Sequence, residues 1–184
     1  SWFSNERVVN YCCFSSCIFF NFIVPLVSLY MAKEIERKFL IDNIEFSRVM
    51  EEHSIIPYII AQGYLLNTIE KTIRVRLKGE KGFLTIKGKQ VGIERTEFEY
   101  SIPTDEAKEL LTWCKDGMIE KLRYEFDFAG KLWEIDIFKG KNEGLAVAEV
   151  ELTHANEVVE LPQWITKEVS EESKYTNAAL VKHP

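Results

Sequence analysis

The two-residue alternation of charged and apolar side chains is the feature that most constrains how this chain can fold. Read as a strand, the stretch EIERKF points Glu34, Glu36 and Lys38 to one face. The sequence predicts eight strand-like segments, and nearly all of them show this alternation: 34–41, 58–67, 71–79, 82–89, 93–102, 119–128, 131–138 and 145–152. Because mostly short connections join these eight segments, the sequence predicts an antiparallel meander.

The charged faces of these segments carry side chains of like sign in pairs. Their cations are Lys38, Arg74, Arg76, Lys87, Arg95, Lys121 and Arg123. Their carboxylates are Glu34, Glu36, Glu97, Glu99, Asp136, Glu149 and Glu151. Like charges on one face repel each other when nothing neutralises them, and arginine suits phosphate better than plain solubility. An ordinary half-buried sheet with one wet face would alternate too, so that alternative stays open.

Closure of the sheet into a barrel would bring the charged faces together around one interior. Eight strands are enough to close a barrel, and closure with the polar faces inward makes a charged tunnel with an apolar outside. Clusters of like charge in such a tunnel are costly unless something neutralises them. Polyphosphate would neutralise the cations, and hard divalent cations such as Mg²⁺ would neutralise the carboxylates. We therefore expect an α+β fold, an eight-stranded antiparallel β-barrel with helices packed outside.

Apolar residues at helical spacing predict helices between and after the strands. The expected helices span residues 43–54, 104–115, 154–161 and 170–182. Asn43 and the hydroxyl of Thr104 are the expected N-caps of the first two helices.

Charge and cysteine usage narrow the functional class. The net charge of -6 argues against a nucleic-acid binder, because phosphate backbones favour a basic surface. Of the four cysteines, Cys12, Cys13 and Cys17 lie near the start and Cys114 lies in a predicted helix. This spacing fits neither a disulfide framework nor a zinc site, and it indicates an intracellular main domain.

The first thirty residues differ from the rest of the chain. Residues 8–30 contain no charged side chain and are long enough to cross a bilayer. We expect either non-native upstream sequence, with Met31 as the true start, or a membrane anchor. A signal peptide fits less well, since Glu6 cancels Arg7. The expected division is an extension over 1–30 and a tunnel domain over 31–184, cytoplasmic unless the extension is native and anchors it.

The ordered series of motifs resembles the CYTH superfamily, the triphosphate tunnel metalloenzymes. The signature E-x-E-x-K lies at 34–38. The other motifs follow in order, as R-x-R at 74–76, T-x-K at 85–87, R-x-E-x-E at 95–99, K-x-R at 121–123, W-E-I-D at 133–136 and E-V-E at 149–151. The resemblance covers residues 31–184 and is greatest to the small bacterial inorganic triphosphatases.

The resemblance implies a metal-dependent triphosphatase, a phosphoanhydride hydrolase that uses Mg²⁺ or Mn²⁺ inside an eight-stranded tunnel. Its expected substrate is tripolyphosphate, a nucleoside triphosphate or thiamine triphosphate, with no nucleic-acid partner and a homodimer as an open option. The implied catalytic residues are Lys38, Tyr64, Glu149 and Glu151. The cations named above would bind substrate, and the carboxylates named above would bind metal. Tyr64 would pair with Lys38, and residues 170–182 would form a C-terminal plug helix.

Several alternatives remain at this point. Within the family, the same tunnel could cyclise ATP as a class IV adenylate cyclase does. Outside catalysis, the chain could be a polyphosphate- or nucleotide-binding module. Glu97 and Glu99 could orient arginines through salt bridges instead of binding metal, and Tyr64 could serve packing alone.

Overall fold

The computed structural model describes residues 33–184, and the expectations for residues 1–30 lie outside the described residues. The strands are β1 (Lys33–Ile41), β2 (Tyr58–Asn67), β3 (Thr72–Lys78), β4 (Lys81–Lys87), β5 (Glu94–Ile102), β6 (Met118–Phe128), β7 (Lys131–Phe138), β8 (Ala146–Glu151) and β9 (Ile165–Glu168). The α-helices are α1 (Asn43–Glu52), α2 (Thr104–Thr112) and α3 (Asn177–Leu180). Short 3₁₀ helices span Gly140–Asn142 and Ser173–Tyr175.

Eight of the strands close into an antiparallel barrel. Their order is β5-β4-β3-β2-β6-β7-β8-β1, and β1 also pairs with β5. The first residues of β1 pair with β5, as in Lys33↔Thr96, and its later residues pair with β8, as in Lys38↔Glu149. The predicted eight-stranded barrel is therefore confirmed, and every inward-pointing residue faces a common interior.

Two helices cover apolar faces on the outside of the barrel. The helix α1 buries Phe46 and Met50 in a core that includes Trp133 and Trp164. The helix α2 packs over β2, β3 and β4, where Leu111 joins a second core.

The approach of the α2 region to β2 is close. A Cβ at Gly63 would lie 2.6 Å from the Sγ atom of Cys114. Only glycine fits this point of contact without displacing its neighbour.

The starts of the two long helices differ from the predicted caps. The N-cap of α1 is Asp42, whose side chain accepts hydrogen bonds from the backbone N–H groups of Ile44 (2.9 Å) and Glu45 (3.0 Å). Asn43 is instead the first helical residue. Thr104 lies inside α2, and its hydroxyl donates to the carbonyl of Glu80 instead of capping the helix.

The C-terminal third departs most from the sequence prediction. The helix predicted over 154–161 is absent from the described chain, and turns and extended backbone take its place. The carboxylate of Glu157 accepts hydrogen bonds from the backbone and hydroxyl of Thr153 at 2.6 and 2.9 Å, which stabilises a local turn in place of a helix. The strand β9, which pairs with the end of β1, was not predicted.

The predicted helix over 170–182 is reduced to a 3₁₀ turn and the short α3. Within residues 33–184, no helix has the length and apolar character needed to cross a bilayer.

Candidate active site inside the barrel

A cavity of about 300 Å³ occupies the barrel interior, and charged side chains from most of the strands line it. Of the predicted site residues, those that line it are Glu34, Glu36, Lys38, Tyr64, Arg74, Arg76, Lys87, Arg95, Glu97, Glu99, Arg123, Glu149 and Glu151. The remaining two, Lys121 and Asp136, are each only 1% exposed and lie beneath the lining in contact with Arg123 or each other. Barrel closure thus brings the whole predicted set together.

The C-terminal segment closes one end of the cavity. Leu180 and Val181 pack with apolar residues of the barrel interior that include Phe138 and Val147. Ahead of them, Asn177 lines the cavity, and its Oδ1 accepts a hydrogen bond from Lys121 Nζ at 3.3 Å. The expected plug is therefore present, although only four of its residues form an α-helix.

The ion pair between Lys38 and Glu149 joins β1 to β8. Lys38 Nζ lies 2.9 Å from Glu149 and 3.7 Å from Glu36. Burial disfavours the charged form of Glu149, yet Lys38 and Arg123 hold its pKa well below the ordinary value. Burial and then the charge of Glu149 raise the pKa of Glu36. The pKa values of these two neighbouring carboxyl groups are therefore shifted in opposite directions.

Asp136 lies at the centre of a second ion-pair cluster, which joins β6 to β7. The Nε and Nη2 atoms of Arg123 donate to its two oxygens at 2.7 and 2.6 Å, and Lys121 Nζ lies 2.5 Å away. Burial favours the neutral form of Asp136, but Arg123 and Lys121 lower its pKa. Burial lowers the pKa of Lys121 to about 8, against the attraction of Asp136.

A third cluster spans β3, β4 and β5. Arg76 donates to both oxygens of Glu99 at 3.1 and 2.9 Å, and Arg74 reaches the same carboxylate at 3.4 Å. The hydroxyl of Thr85 also donates to Glu99, at 2.7 Å.

Lys87 links this wall of the barrel to β1. Its Nζ atom contacts Glu34 at 2.7 Å and Glu97 at 2.5 Å. Arg95 adds a longer contact to Glu34, at 3.7 Å.

The cationic pairs and the acidic pairs predicted from the sequence thus neutralise one another in the barrel interior. Cations and carboxylates from different strands meet as ion pairs. Of these pairs, the sequence offered only the salt bridges of Glu97 and Glu99 with arginines, as one alternative. Glu151 differs from the other lining carboxylates, since no ion pair involves it within residues 33–184. The barrel interior can therefore exist without a ligand, but any ligand has to compete with these ion pairs.

The carboxylates fit a divalent cation in their chemistry but are not gathered around a ready-made site. The described residues contain no group of three ligating side chains close enough to hold a metal ion. Glu36 and Glu151 face each other across β1 and β8, and Glu149 lies one inward position along. Their oxygens are the hard donors that Mg²⁺ and Mn²⁺ prefer. Glu149 would first have to release Lys38 and Arg123.

Several polar residues in or next to the cavity were absent from the predicted set. Glu134 pairs with Arg123 and shares the inward face of β7 with Asp136, so the alternation itself could have identified it. Thr85 stands in the T-x-K motif. Gln62 shares one face of β2 with Tyr64 by the period of two, and Asn177 lies in the segment 170–182 that was expected to form the plug.

Tyr64 borders both the cavity and the apolar core at the closed end. Burial raises the pKa of its hydroxyl. The pairing with Lys38 that the resemblance implies stays a prediction, because no hydrogen bond joins the two side chains within the described chain.

The sequence is similar to a known protein family and to characterised relatives. The CYTH domain profile matches residues 32–180. An inorganic triphosphatase of Acetivibrio thermocellus is 44% identical over 155 residues, which is 84% of this chain and 96% of that protein. An inorganic triphosphatase of Nitrosomonas europaea is 33% identical over 151 residues, 80% of this chain and 95% of that protein.

Solved structures resemble the barrel as well. The crystal structure of an inorganic triphosphatase matches with a TM-score of 0.56 and 30% identity, over 81% of this chain and 94% of that one. A protein of Bacillus halodurans, provisionally named an adenylate cyclase, matches with a TM-score of 0.56 over 68% of this chain and 84% of its own. Its identity of 19% shows a shared fold and no more.

Proposed function

The chain belongs to the CYTH domain family, and from this premise we propose that it is a metal-dependent triphosphatase that hydrolyses a triphosphate inside its barrel. One observation carries the proposal: seven predicted cations and seven predicted carboxylates converge on or just beneath the wall of one cavity that is closed at one end. A phosphate-binding module without catalysis would need the cations but not so many acidic side chains.

The cations would hold the phosphate chain. Arginine binds phosphate oxygens through its planar fork, and the lysines add compact positive charge. Lys38, Lys121 and Arg123 are each less than a tenth exposed, so their charge acts in a medium of low dielectric constant. There it would stabilise negative charge that builds on the phosphoryl oxygens and the leaving group.

The carboxylates would hold the divalent cation, which we propose is Mg²⁺ or Mn²⁺. Glu36, Glu149 and Glu151 are the first choice, because they share one wall and Glu151 has no competing ion pair among the described residues. Such a cation, when bound, supplies Lewis-acid activation of water and of phosphate oxygens. Glu97 and Glu99 already hold Lys87 and Arg76, so these two carboxylates would position cations as well as any metal.

Inorganic tripolyphosphate is the substrate that the cavity favours. Nucleotide pockets generally offer apolar or aromatic surface to the base. Here Tyr64 is the one aromatic lining residue within residues 33–184, and it lies at the plugged end. The two inorganic triphosphatases reported above agree with this choice.

A turnover assay tests the function directly. The purified protein is incubated with tripolyphosphate, ATP or thiamine triphosphate, in Mg²⁺ or Mn²⁺, and both phosphate and cyclic AMP are measured. We expect phosphate release, fastest from tripolyphosphate, and none without a divalent cation. Cyclic AMP as the main product would establish the cyclase instead. Tight tripolyphosphate binding without turnover in any metal would establish a binding module.

A further inference from the structure

Gln62 is a buried amide without a partner in the barrel interior. It lies in β2, on the same inward face as Tyr64, and is 0% exposed. Neither its Nε2 nor its Oε1 atom has a hydrogen-bond partner among residues 33–184. Leaving a buried donor and acceptor unpaired is destabilising, and native proteins contain few such groups. The presence of glutamine at this position therefore requires an explanation.

Packing does not supply that reason. Ile60 occupies the neighbouring inward position of β2 and is also 0% exposed, so this wall of the barrel accepts an apolar side chain. No backbone group of the described chain bonds to the amide either. Its hydrogen-bonding capacity is therefore not used by any protein group of residues 33–184.

The next strand carries the complementary unpaired groups. Gln62 is directly opposite Arg76 in the β2–β3 ladder, and Arg74 is opposite Tyr64. The Nε–H groups of both arginines are buried and unpaired. Side chains opposite each other in an antiparallel pair are close enough to interact. An orphan acceptor thus neighbours orphan donors on one inward wall.

The present rotamer of Arg76 explains why the two groups do not meet. Its Nη2 atom lies 2.9 Å from the carboxylate of Glu99. Arg76 also lines the cavity, so a phosphate entering the cavity can compete with Glu99 for its terminal nitrogens. Once the guanidinium turns from Glu99 towards the phosphate, its unpaired Nε–H can reach a new acceptor.

We propose that Gln62 is a positioning residue for triphosphate binding, whose Oε1 accepts the Nε–H of Arg76 after phosphate oxygens have displaced Glu99. The inference rests on the proposed function, since it takes the cavity to be the triphosphate site. The amide then acts through Arg76 and does not touch the substrate. Binding then gives the amide oxygen a protein partner, which favours the loaded form.

The substitution Gln62→Met tests this role, because methionine has a similar shape and no strong hydrogen-bonding group. We expect KM for tripolyphosphate to rise about tenfold, the factor that corresponds to about 1.4 kcal/mol, while kcat changes little. The melting temperature of the ligand-free variant should equal or exceed that of the wild type. Gln163→Met, on the exposed surface, is the matched control and should leave KM and kcat unchanged.

A second background separates a positioning role from direct contact. Lysine at position 76 keeps a positive charge but has no Nε–H, so Gln62→Met should raise KM no further in an Arg76→Lys protein. Effects that simply add would overturn the proposal.

Affinity for an imido-bridged tripolyphosphate, measured by calorimetry, keeps this test independent of turnover. If the wild type hydrolyses nothing but Gln62→Met still weakens binding, the proposed function fails and the inference stands. If the wild type is active and Gln62→Met binds as tightly, the inference fails and the function stands. Variants Gln62→Met and Gln62→Leu that both melt well below the wild type would show a structural amide and also overturn it.

Discussion

Lys38 and Glu149 form an ion pair that serves both the stability and the proposed activity of the barrel. Each is the main partner of the other in the ligand-free protein, and each is assigned to a different ligand in the loaded one. Because only 12% of the Glu149 side chain is exposed, that carboxylate stays largely out of water if the lysine is removed. Activity and stability therefore depend on the same pair.

The variant Lys38→Met should lose phosphate release and also become less stable. Removal of one member of a buried ion pair costs about 3–5 kcal/mol, because the other charge is left without compensation. Urea denaturation at neutral pH measures the free energy of unfolding, and a phosphate assay measures turnover. The double variant Lys38→Met/Glu149→Gln should recover most of the stability and none of the activity. Full activity in Lys38→Met would refute the catalytic assignment.

Glu157 offers a pH-dependent prediction away from the barrel interior. A hydrogen bond from Lys131, with further ones from the backbone and hydroxyl of Thr153, lowers its pKa to about 2. Since the folded-state pKa lies below the ordinary value, the stabilisation is present above about pH 4.5 and disappears as pH falls through about 2. The carboxyl carbon of Glu157, followed by NMR, should titrate near pH 2. In Lys131→Met its midpoint should move up towards the ordinary value, and an unmoved midpoint would contradict the role of Lys131.

At this scale, the sequence predicted side-chain direction but not side-chain pairing. The inward position of Glu36 or Arg123 follows from a period of two, which is a local property. The cross-strand contacts of Arg123 with Glu149 require the order of strands around the barrel. The orphan amide of Gln62 depends on the rotamers of its neighbours, which no sequence pattern encodes.

Among the elements, long alternating strands were predictable and short or context-dependent ones were not. The strand β6 alternates from Lys121 to Phe128 and matches its predicted bounds to within one residue. The strand β9 has four residues and forms where β1 extends beyond its contact with β5. Arg37 and Glu168 hold it there through paired hydrogen bonds of 2.9 and 2.6 Å. Such a strand exists because of tertiary pairing, so its own residues carry little signal.

The cap of α1 gives a prediction at the level of one helix. Asp42→Ala removes the acceptor for the N–H groups of Ile44 and Glu45, and we expect a loss of about 1 kcal/mol in the free energy of unfolding. Urea denaturation measures this loss. Asn43→Ala is the matched control, because Asn43 lies within the helix and should cost clearly less. Equal losses in the two variants would mean that Asp42 does not act as the cap.

For the whole molecule, closure turns eight half-buried strands into one charged interior. The alternation predicted both faces correctly, and the apolar outside is covered by α1 and α2 as expected. Closure itself depends on β1 pairing with β8 along one edge and with β5 along the other. In the closed barrel, cations and carboxylates of adjacent or nearby strands neutralise each other along the tunnel wall.

This internal neutrality predicts that phosphate and metal bind cooperatively. A polyphosphate that binds alone draws Lys38 and Arg123 from Glu149 and leaves that buried carboxylate without a partner. A divalent cation that binds alone leaves the two cations uncompensated in the same way. When both are present, every displaced charge finds a new partner. The rise in melting temperature with an imido-bridged tripolyphosphate and Mg²⁺ together should therefore exceed the sum of the rises with each alone.

Solution chemistry makes this a stringent measurement. The two ligands bind each other in free solution, which lowers the free concentration of both, so independent sites would give a joint shift below the sum. Sodium chloride at matched ionic strength controls for screening, which weakens exposed ion pairs more than buried ones. By reciprocity, the metal must raise phosphate affinity by the same factor by which phosphate raises metal affinity. Joint shifts at or below the sum would show that the carboxylates and cations of the tunnel do not exchange partners on binding.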